Sequence, residues 1–201
     1  MMTIGLDEVG RGCWAGPLVA AAVVLDDNSP VIIGLNDSKK LSRLQRQKLD
    51  TIIRAEAAAI GIGWVWPKAI DISGITAAVK SAMQQAMEQV VGHMQGLNNG
   101  HAYDIIIDGN YNFLPEYASA QTMVGADGLV PAVSAASIIA KVARDRYMAD
   151  RAAAEYPRYG FEKHVGYGTA QHIAMLKVHG VTPLHRMSYK PIKQILLQSK
   201  T

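Results

Sequence analysis

Short apolar runs that stop at acids alternate along this chain with longer stretches whose apolar residues recur every three or four positions. The first run, Thr3-Ile4-Gly5-Leu6, leads into Asp7-Glu8 and then the turn Gly10-Arg11-Gly12. This predicts a buried strand whose regular pairing stops at the glycines. Pro17 to Leu25 predicts a second buried strand, and Asp26-Asp27-Asn28-Ser29-Pro30 a solvent-facing turn. A helix is expected from about Ser42 to Ala58, with Leu41, Leu44, Leu49, Ile52 and Ile53 marking one face. Ala59 to Trp66 reads as a strand closed by Pro67. Ile75 to about Met94 is a strong helix, its Ala78, Ala82 and Ala86 and its Met83, Met87 and Met94 set at core-packing intervals. After a loop at Gly96–Gly100, Tyr103 to Ile107 predicts a strand ending in Asp108-Gly109-Asn110. A short segment, Gln121 to Val124, precedes Gly125-Ala126-Asp127. The longest helix is expected from about Val133 to Glu155, ended by Tyr156-Pro157. The remainder reads as loop, with two shorter helices near Ala170–His179 and Pro191–Gln198. The order β-β-(β)-α-β-α-β-β-α with a helical tail is that of an α/β layered domain. With no repeat or linker, residues 1–201 form a single domain on this reading, and those from about 160 are its C-terminal appendage.

Strands that end in carboxylates concentrate negative charge at their tips, which either solvent or a bound cation can accommodate. The glycines around Arg11 favour the cation, because they admit backbone N–H groups close to a bulky anion beside a guanidinium. In an α/β domain strand tips lie side by side, so Asp108 can meet Asp7. Asp7, Glu8, Asp108 and Asp127 then form a candidate carboxylate cluster. Such hard oxygen ligands select Mg²⁺ or Mn²⁺ over zinc. Two such ions about 4 Å apart can activate water and stabilise a leaving oxygen in phosphoryl displacement. One geometric constraint applies. Successive strand residues face opposite sides, so Asp7 and Glu8 cannot both face one site unless the strand distorts near Gly10 or Glu8 acts through its carbonyl. Beside the first helix start, Ser38, Lys39 and Lys40 offer a phosphate contact or plain surface charge.

Composition narrows the class. A chain of 201 residues with 49% hydrophobic content fills one domain, and the 18% charged fraction argues against disorder. No apolar run reaches the ~18 residues of a membrane span. Cys13 has no disulfide partner, which suits a reducing cytoplasm. Charge is divided unevenly. Residues 1–140 hold 9 Lys and Arg against 13 Asp and Glu, whereas residues 141–201 hold 11 against 4. An acidic part for metal and a basic part for a polyanion fit a nucleic-acid enzyme. His164, His172, His179 and His185 are too widely spaced for a zinc pair, and His172 and His179 read as helix-face residues. No Walker phosphate loop or G-x-S-x-G elbow is present. Asp145 lies between Arg144 and Arg146, where an ion pair is expected.

Taken in order, D-E-V-G-R-G, N-D-S-K-K-L, I-I-D-G-N, S-A-A-S-I-I-A-K-V-A-R-D-R, Y-P-R-Y-G-F and H-V-G-Y-G-T make the chain similar to the ribonuclease HII family over nearly its whole length. The resemblance implies a ribonuclease H-like fold: a mixed five-stranded sheet flanked by helices, with a helical C-terminal appendage. It implies an endonuclease that cuts the RNA strand of RNA–DNA hybrids and cuts 5′ to single ribonucleotides embedded in duplex DNA, leaving 5′-phosphate and 3′-hydroxyl ends. By this match Asp7, Glu8, Asp108 and Asp127 hold two Mn²⁺ or Mg²⁺ ions. Gly10-Arg11-Gly12 recognises the 2′-hydroxyl and neighbouring phosphate, and that hydroxyl separates RNA from DNA. Tyr167 packs on the sugar beside the RNA–DNA junction, and Ser38 and Lys39 contact the backbone. A cytoplasmic monomer is expected.

The chain departs from the family pattern at three places. Cys13-Trp14 follows the Gly-Arg-Gly turn where Pro is usual, Gly125 replaces a Lys two residues before the fourth Asp, and Val165 replaces a Lys before Gly-Tyr. The departure at Gly125 leaves Asp145 as the alternative fourth acid. A related family, ribonuclease HIII, carries an extra N-terminal domain for which a first strand beginning at residue 3 leaves no room. A binding module that has lost catalysis is the reading from another class. It has no need of four acids near phosphate. Each absent Lys removes a phosphate contact, so weaker hybrid binding is expected, and Gly125→Lys and Val165→Lys are expected to tighten it. Affinities measured at several salt concentrations check this, and no gain in either variant rejects it.

Overall fold

The computed structural model describes residues 2–26, 30–95 and 103–198. Its chain forms two compact units, one of residues 1–9, 19–64 and 79–142, the other of residues 10–18, 65–78 and 143–201. The loop expected at Gly96–Gly100 and the turn residues Asp27–Ser29 lie outside the described residues.

The first unit is built on a five-stranded sheet in the order β3-β2-β1-β4-β5. The strands are β1 (Met2–Val9), β2 (Leu18–Asp26), β3 (Ala59–Val65), β4 (Tyr103–Asp108) and β5 (Ala120–Met123). β1 runs antiparallel to β2 and parallel to β4, and β4 runs parallel to β5, so the sheet is mixed. The central strands are buried on both faces, which is why β1 and β2 read as unbroken apolar runs. At β3 burial alternates residue by residue, as expected nearer an edge.

Helices cover both faces. α1 (Arg43–Glu56) begins at Ser42, whose hydroxyl accepts from the Gln45 amide while the Gln45 side chain accepts from the Ser42 amide, a capping box. Leu49 and Ile53 of α1 join Val19, Ala21 and Val23 of β2 and Ala135, Ala136, Ile138 and Ile139 of α4 (Pro131–Arg146) in one cluster. On the opposite face, α3 (Ile75–Gln95) packs closely on β3. A Cβ at Gly63 would lie 1.9 Å from the Ala82 carbonyl oxygen, and one at Gly61 1.9 Å from that of Ala86. The small residues of the α3 pattern thus serve backbone approach. Gly5 does the same for α4, since a Cβ there would lie 2.1 Å from the Ala132 carbonyl carbon. The bracketed strand before the first helix does not form. Residues 30–37 are irregular and lead into a 3₁₀ turn, Ser38–Lys40.

The second unit contains α2 (Pro67–Ser73), which pattern reading missed because its single apolar turn is too short for a period. The expected helix to Glu155 changes character on the way. α4 ends at Arg146, a π-helical segment runs over Tyr147–Ala152, and α5 (Ala153–Glu155) completes it. After it come α6 (Phe161–His164), α7 (Ala170–His179) and α8 (Lys190–Gln198). Ala15, Met148, Phe161, Leu176, Leu184 and Ile192 form the core here.

Two guanidinium groups organise its loops, and neither is exposed at all. Arg144 donates to the carbonyls of Pro17 at 2.8 Å, Val165 at 2.9 Å and Ala15 at 3.0 Å. Arg186 donates to Gly16 at 2.9 Å and Arg11 at 3.1 Å. Five donors in a planar fork let one side chain satisfy several loop carbonyls that water cannot reach. Part of the C-terminal basic excess is therefore internal and unavailable to a polyanion.

Replacing Gly5 by Ala is expected to lower the unfolding free energy by about 3 kcal/mol, because the added methyl meets α4 backbone rather than a movable side chain. Urea denaturation measures it, and a change within about 0.5 kcal/mol contradicts the packing described.

Candidate active site

β1 and β4 lie side by side, and their pairing brings Leu6 opposite Ile107. The next residue of each strand is the acid, so Asp7 and Asp108 share a face. Asp127 reaches them from a 3₁₀ turn, Ala126–Gly128, entered through Gly125 in a left-handed conformation (φ 72°). One carboxylate oxygen from each of Asp7, Asp108 and Asp127 lies within 4.8 Å of the other two. Glu8 is not in this group. The register of β1 on β2 is unbroken from Met2 to Val9, so the strand does not distort and the Glu8 side chain takes the opposite face from Asp7. Its carbonyl is what remains of the two routes by which Glu8 could serve the same site. Among the described residues Asp127, not Asp145, joins Asp7 and Asp108.

The surroundings raise the cost of charge. Asp7 is 6% exposed, and burial, with Glu8 and Asp108 adding repulsion, pushes its carboxyl up to about 8. The Glu8 amide donates to Asp7 Oδ1 at 2.7 Å and the Ser137 hydroxyl also bonds this carboxyl, which only partly offsets the loss of water. Burial likewise raises Asp127, with Asp108 and Asp37 adding to it and Lys39 opposing. Asp108 Oδ1 is buried and without a hydrogen-bond partner. An unmet buried carboxylate oxygen is costly, and one set beside acids whose charge burial already disfavours is an environment that a divalent cation relieves. The donor set, all oxygen, fits a hard cation.

Ser38 and Lys39 border the acids. The Lys39 ammonium lies 3.5 Å from Asp127 Oδ2 and 3.8 Å from Asp37, and its side chain is 76% exposed. Burial acts against its charge, but Asp37, Asp127 and Asp7 outweigh this and raise its pKa. Ser38 is buried, its Oγ 2.8 Å from that of Ser137. The Asp37 side chain accepts from the Lys39 amide and caps the 3₁₀ turn. Sequence reasoning passed over Asp37, Ser134 and Ser137. Ser134 Oγ donates to the Asp127 carbonyl at 2.6 Å, so α4 steadies two of the three acids. The available signal was S-x-x-S, which places both hydroxyls on one helix face.

In the second unit, Gly10 has φ 93°, and a Cβ there would lie 2.5 Å from Arg144 Nε. Close packing of a buried guanidinium is by itself a physical reason for this glycine. Gly12 has nothing within 4 Å of where a Cβ would stand, and Arg11 is exposed. Tyr167 is 40% exposed, and burial of the rest pushes its phenol up to about 12, with Cys13 adding to the effect. Val165 has φ 43°, among the described residues the one non-glycine in the left-handed region. His172 is wholly buried rather than a surface helix-face residue.

The acid cluster sets a pH dependence. Asp7 titrates near 3.8 when unfolded and near 8 when folded, so across this window the native state holds the extra proton. Stability of metal-free protein therefore falls as pH rises from about 4 through about 8. Asp7→Asn is expected to be more stable than the parent by about 2–4 kcal/mol at pH 9 and little different at pH 4, read by urea denaturation at both. Equal effects at the two pH values contradict the account.

The family model for ribonuclease HII matches residues 4–192. A ribonuclease HII of Shewanella halifaxensis is 45% identical over 193 residues, covering 96% of this chain and 89% of that protein. Among solved structures, ribonuclease H2 of Pyrococcus horikoshii OT3 has a TM-score of 0.75 at 28% identity, over 100% of both chains. Bst-RNase HIII in complex with Mn²⁺ shares the fold at a TM-score of 0.72 and 20% identity, over 100% of this chain and 70% of that one. A mixed five-stranded sheet flanked by helices, an acidic triad drawn from two of its strands and a 3₁₀ turn, and a family match over nearly the whole length agree: the chain belongs to the ribonuclease HII family, enzymes that are endonucleases of the ribonuclease H type.

Proposed function

We propose that this enzyme cleaves RNA–DNA hybrids and also cuts 5′ to a single ribonucleotide in duplex DNA, leaving 5′-phosphate and 3′-hydroxyl ends. The observation that carries the reading is the grouping of Asp7, Asp108 and Asp127 with one buried, unpartnered carboxylate oxygen. These three acids, with Glu8 through its carbonyl, would hold Mn²⁺ or Mg²⁺, as two ions. The Mn²⁺ complex of Bst-RNase HIII, which shares the fold, supports a divalent cation as the ligand. Bound there, divalent ions supply a nucleophilic hydroxide and neutralise the leaving oxygen.

The chain's own residues do the rest. Ser137 orients the Asp7 carboxyl, and Ser134 fixes the turn that carries Asp127. Lys39 offsets the charge of Asp127 and, being exposed, is placed to contact a backbone phosphate. Arg11, between Gly10 and Gly12, contacts the ribonucleotide and its phosphate, with the Arg11 carbonyl held by Arg186. Tyr167 offers its exposed ring to the sugar beside the junction. We assign the enzyme to the cytoplasm as a monomer. Among the described residues no helix is long and apolar enough to cross a membrane.

A duplex DNA with one ribonucleotide, incubated with Mn²⁺ or Mg²⁺ and either parent or Asp108→Asn enzyme, tests this. Cutting 5′ to the ribonucleotide by the parent, reduced about 100-fold or more in the variant, is expected. Cutting of long hybrids only would keep the acid site and remove the junction reading. Binding without cutting in either metal would establish a catalytically impaired binding module.

A further inference from the structure

Cys13 and Trp14, which follow the Gly10-Arg11-Gly12 turn, are directed at two other adjacent residues, Tyr167 and Gly168. The Trp14 and Ala15 amides both donate to the Gly166 carbonyl, at 2.9 and 3.2 Å, and the Arg186 amide donates to the Trp14 carbonyl at 2.8 Å. This fixes the backbone from which the two side chains project. The Cys13 side chain, wholly buried, hydrogen-bonds the Tyr167 phenol. The Trp14 indole lies flat against Gly168, where a Cβ would come within 2.2 to 2.7 Å of three ring atoms.

A chain of histidines holds the other end of Tyr167. His185 Nδ1 accepts from the Thr182 amide at 2.8 Å, so its proton sits on Nε2 and faces His172 Nε2 at 3.0 Å. That leaves the His172 proton on Nδ1, which donates to the Tyr167 carbonyl at 2.9 Å. His164 Nδ1 accepts from the Gly166 amide at 3.2 Å, its Nε2 donates to the Tyr159 carbonyl at 2.9 Å, and its ring stacks on His172 at 4.5 Å. The donors run one way, from Thr182 through His185 and His172 to Tyr167. Burial pushes both His172 and His185 down to about 4, so the neutral tautomers persist at pH 7. Each ring nitrogen of His164, His172 and His185 has a partner, which makes the Tyr167 loop a rigid platform rather than a flexible one.

We propose that Cys13, Trp14 and His172 are positioning residues that fix the ring of Tyr167 and so set the preference for a ribonucleotide–deoxyribonucleotide junction over a continuous hybrid. This rests on the reading of Tyr167 given above. A Tyr167 side chain held at its hydroxyl by Cys13, on a backbone held at its carbonyl by His172, keeps one position, and packing on a sugar requires one position.

The test compares cleavage of a single-ribonucleotide duplex with cleavage of a long hybrid, as a ratio of kcat/KM values, with thermal unfolding confirming that each variant is folded. Cys13→Ala and Tyr167→Phe are each expected to lower the ratio about fivefold, the worth of one hydrogen bond, and the double variant no further. Cys13→Ser checks the anchor should Cys13→Ala fail to fold. His172→Ala is expected to lower the ratio too, and His172→Asn, whose amide donates from nearly the Nδ1 position, to restore it. Effects of Cys13→Ala and Tyr167→Phe that multiply, or a ratio unchanged by Cys13→Ala but lowered by Tyr167→Ala, overturn the proposal and leave Tyr167 in its role. A ratio unchanged by Tyr167→Ala removes that role, and this proposal with it.

Discussion

Three carboxylates drawn within 4.8 Å of one another, two of them largely withdrawn from water, are the constraint around which the rest is arranged. Like charges at that distance repel, and burial strips the hydration that would otherwise screen them. The fold nonetheless holds them there. β1 and β4 are adjacent and in register, so Asp7 and Asp108 cannot separate without unpairing the centre of the sheet. α4 is pressed against β1 at Gly5, which brings Ser134 and Ser137 to the same place. A fold that concentrates unfavourable charge at strand tips sacrifices stability for a function, and the proposed divalent cation would be its counterpart. Lys39 supplies a single positive charge beside Asp127, mostly in solvent, and leaves Asp108 Oδ1 unmet.

The second unit solves a different problem. Its loops carry carbonyls into a water-free interior, and Arg144 and Arg186 meet them with guanidinium donors. His164, His172 and His185 then link the loop segments through neutral rings in defined tautomers. Polar interiors of this kind tolerate little change, because each donor removed leaves an acceptor unsatisfied. The glycines at 10, 16 and 166 belong to that packing. Added Cβ atoms would meet Arg144 Nε at 2.5 Å, Met148 Sδ at 2.4 Å and the Ala15 carbonyl oxygen at 2.2 Å respectively.

Which features the sequence discloses follows from the range of the interactions that produce them. β1, β2 and β4 end where apolar runs meet acids, so Asp7 and Asp108 were legible as strand-tip carboxylates. The opposite facing of Glu8 followed from the two-residue period of a strand, and the unbroken register realises it. Asp127 is different. Its place depends on a left-handed Gly125 and a 3₁₀ turn, which no period signals; the sequence marked it only as an acid at an element end, with Asp145 left as the alternative. Ser137 reads as one more small helix residue until β1 is set against α4. The change from α to π geometry at Tyr147 and the left-handed Val165 are equally silent, since tertiary packing overrides local preference there. Arg144 and Arg186 counted only toward the C-terminal basic excess, because nothing in a sequence distinguishes a solvated guanidinium from one that holds two or three buried carbonyls.

The most direct test of the central claim is anomalous diffraction from crystals soaked in Mn²⁺. The account predicts manganese bound by oxygens of Asp7, Asp108 and Asp127 at about 2 Å, with the carbonyl rather than the carboxylate of Glu8 facing the ion. Manganese bound elsewhere, at Asp145 for example, or no peak among the three acids at saturating concentration, would contradict it.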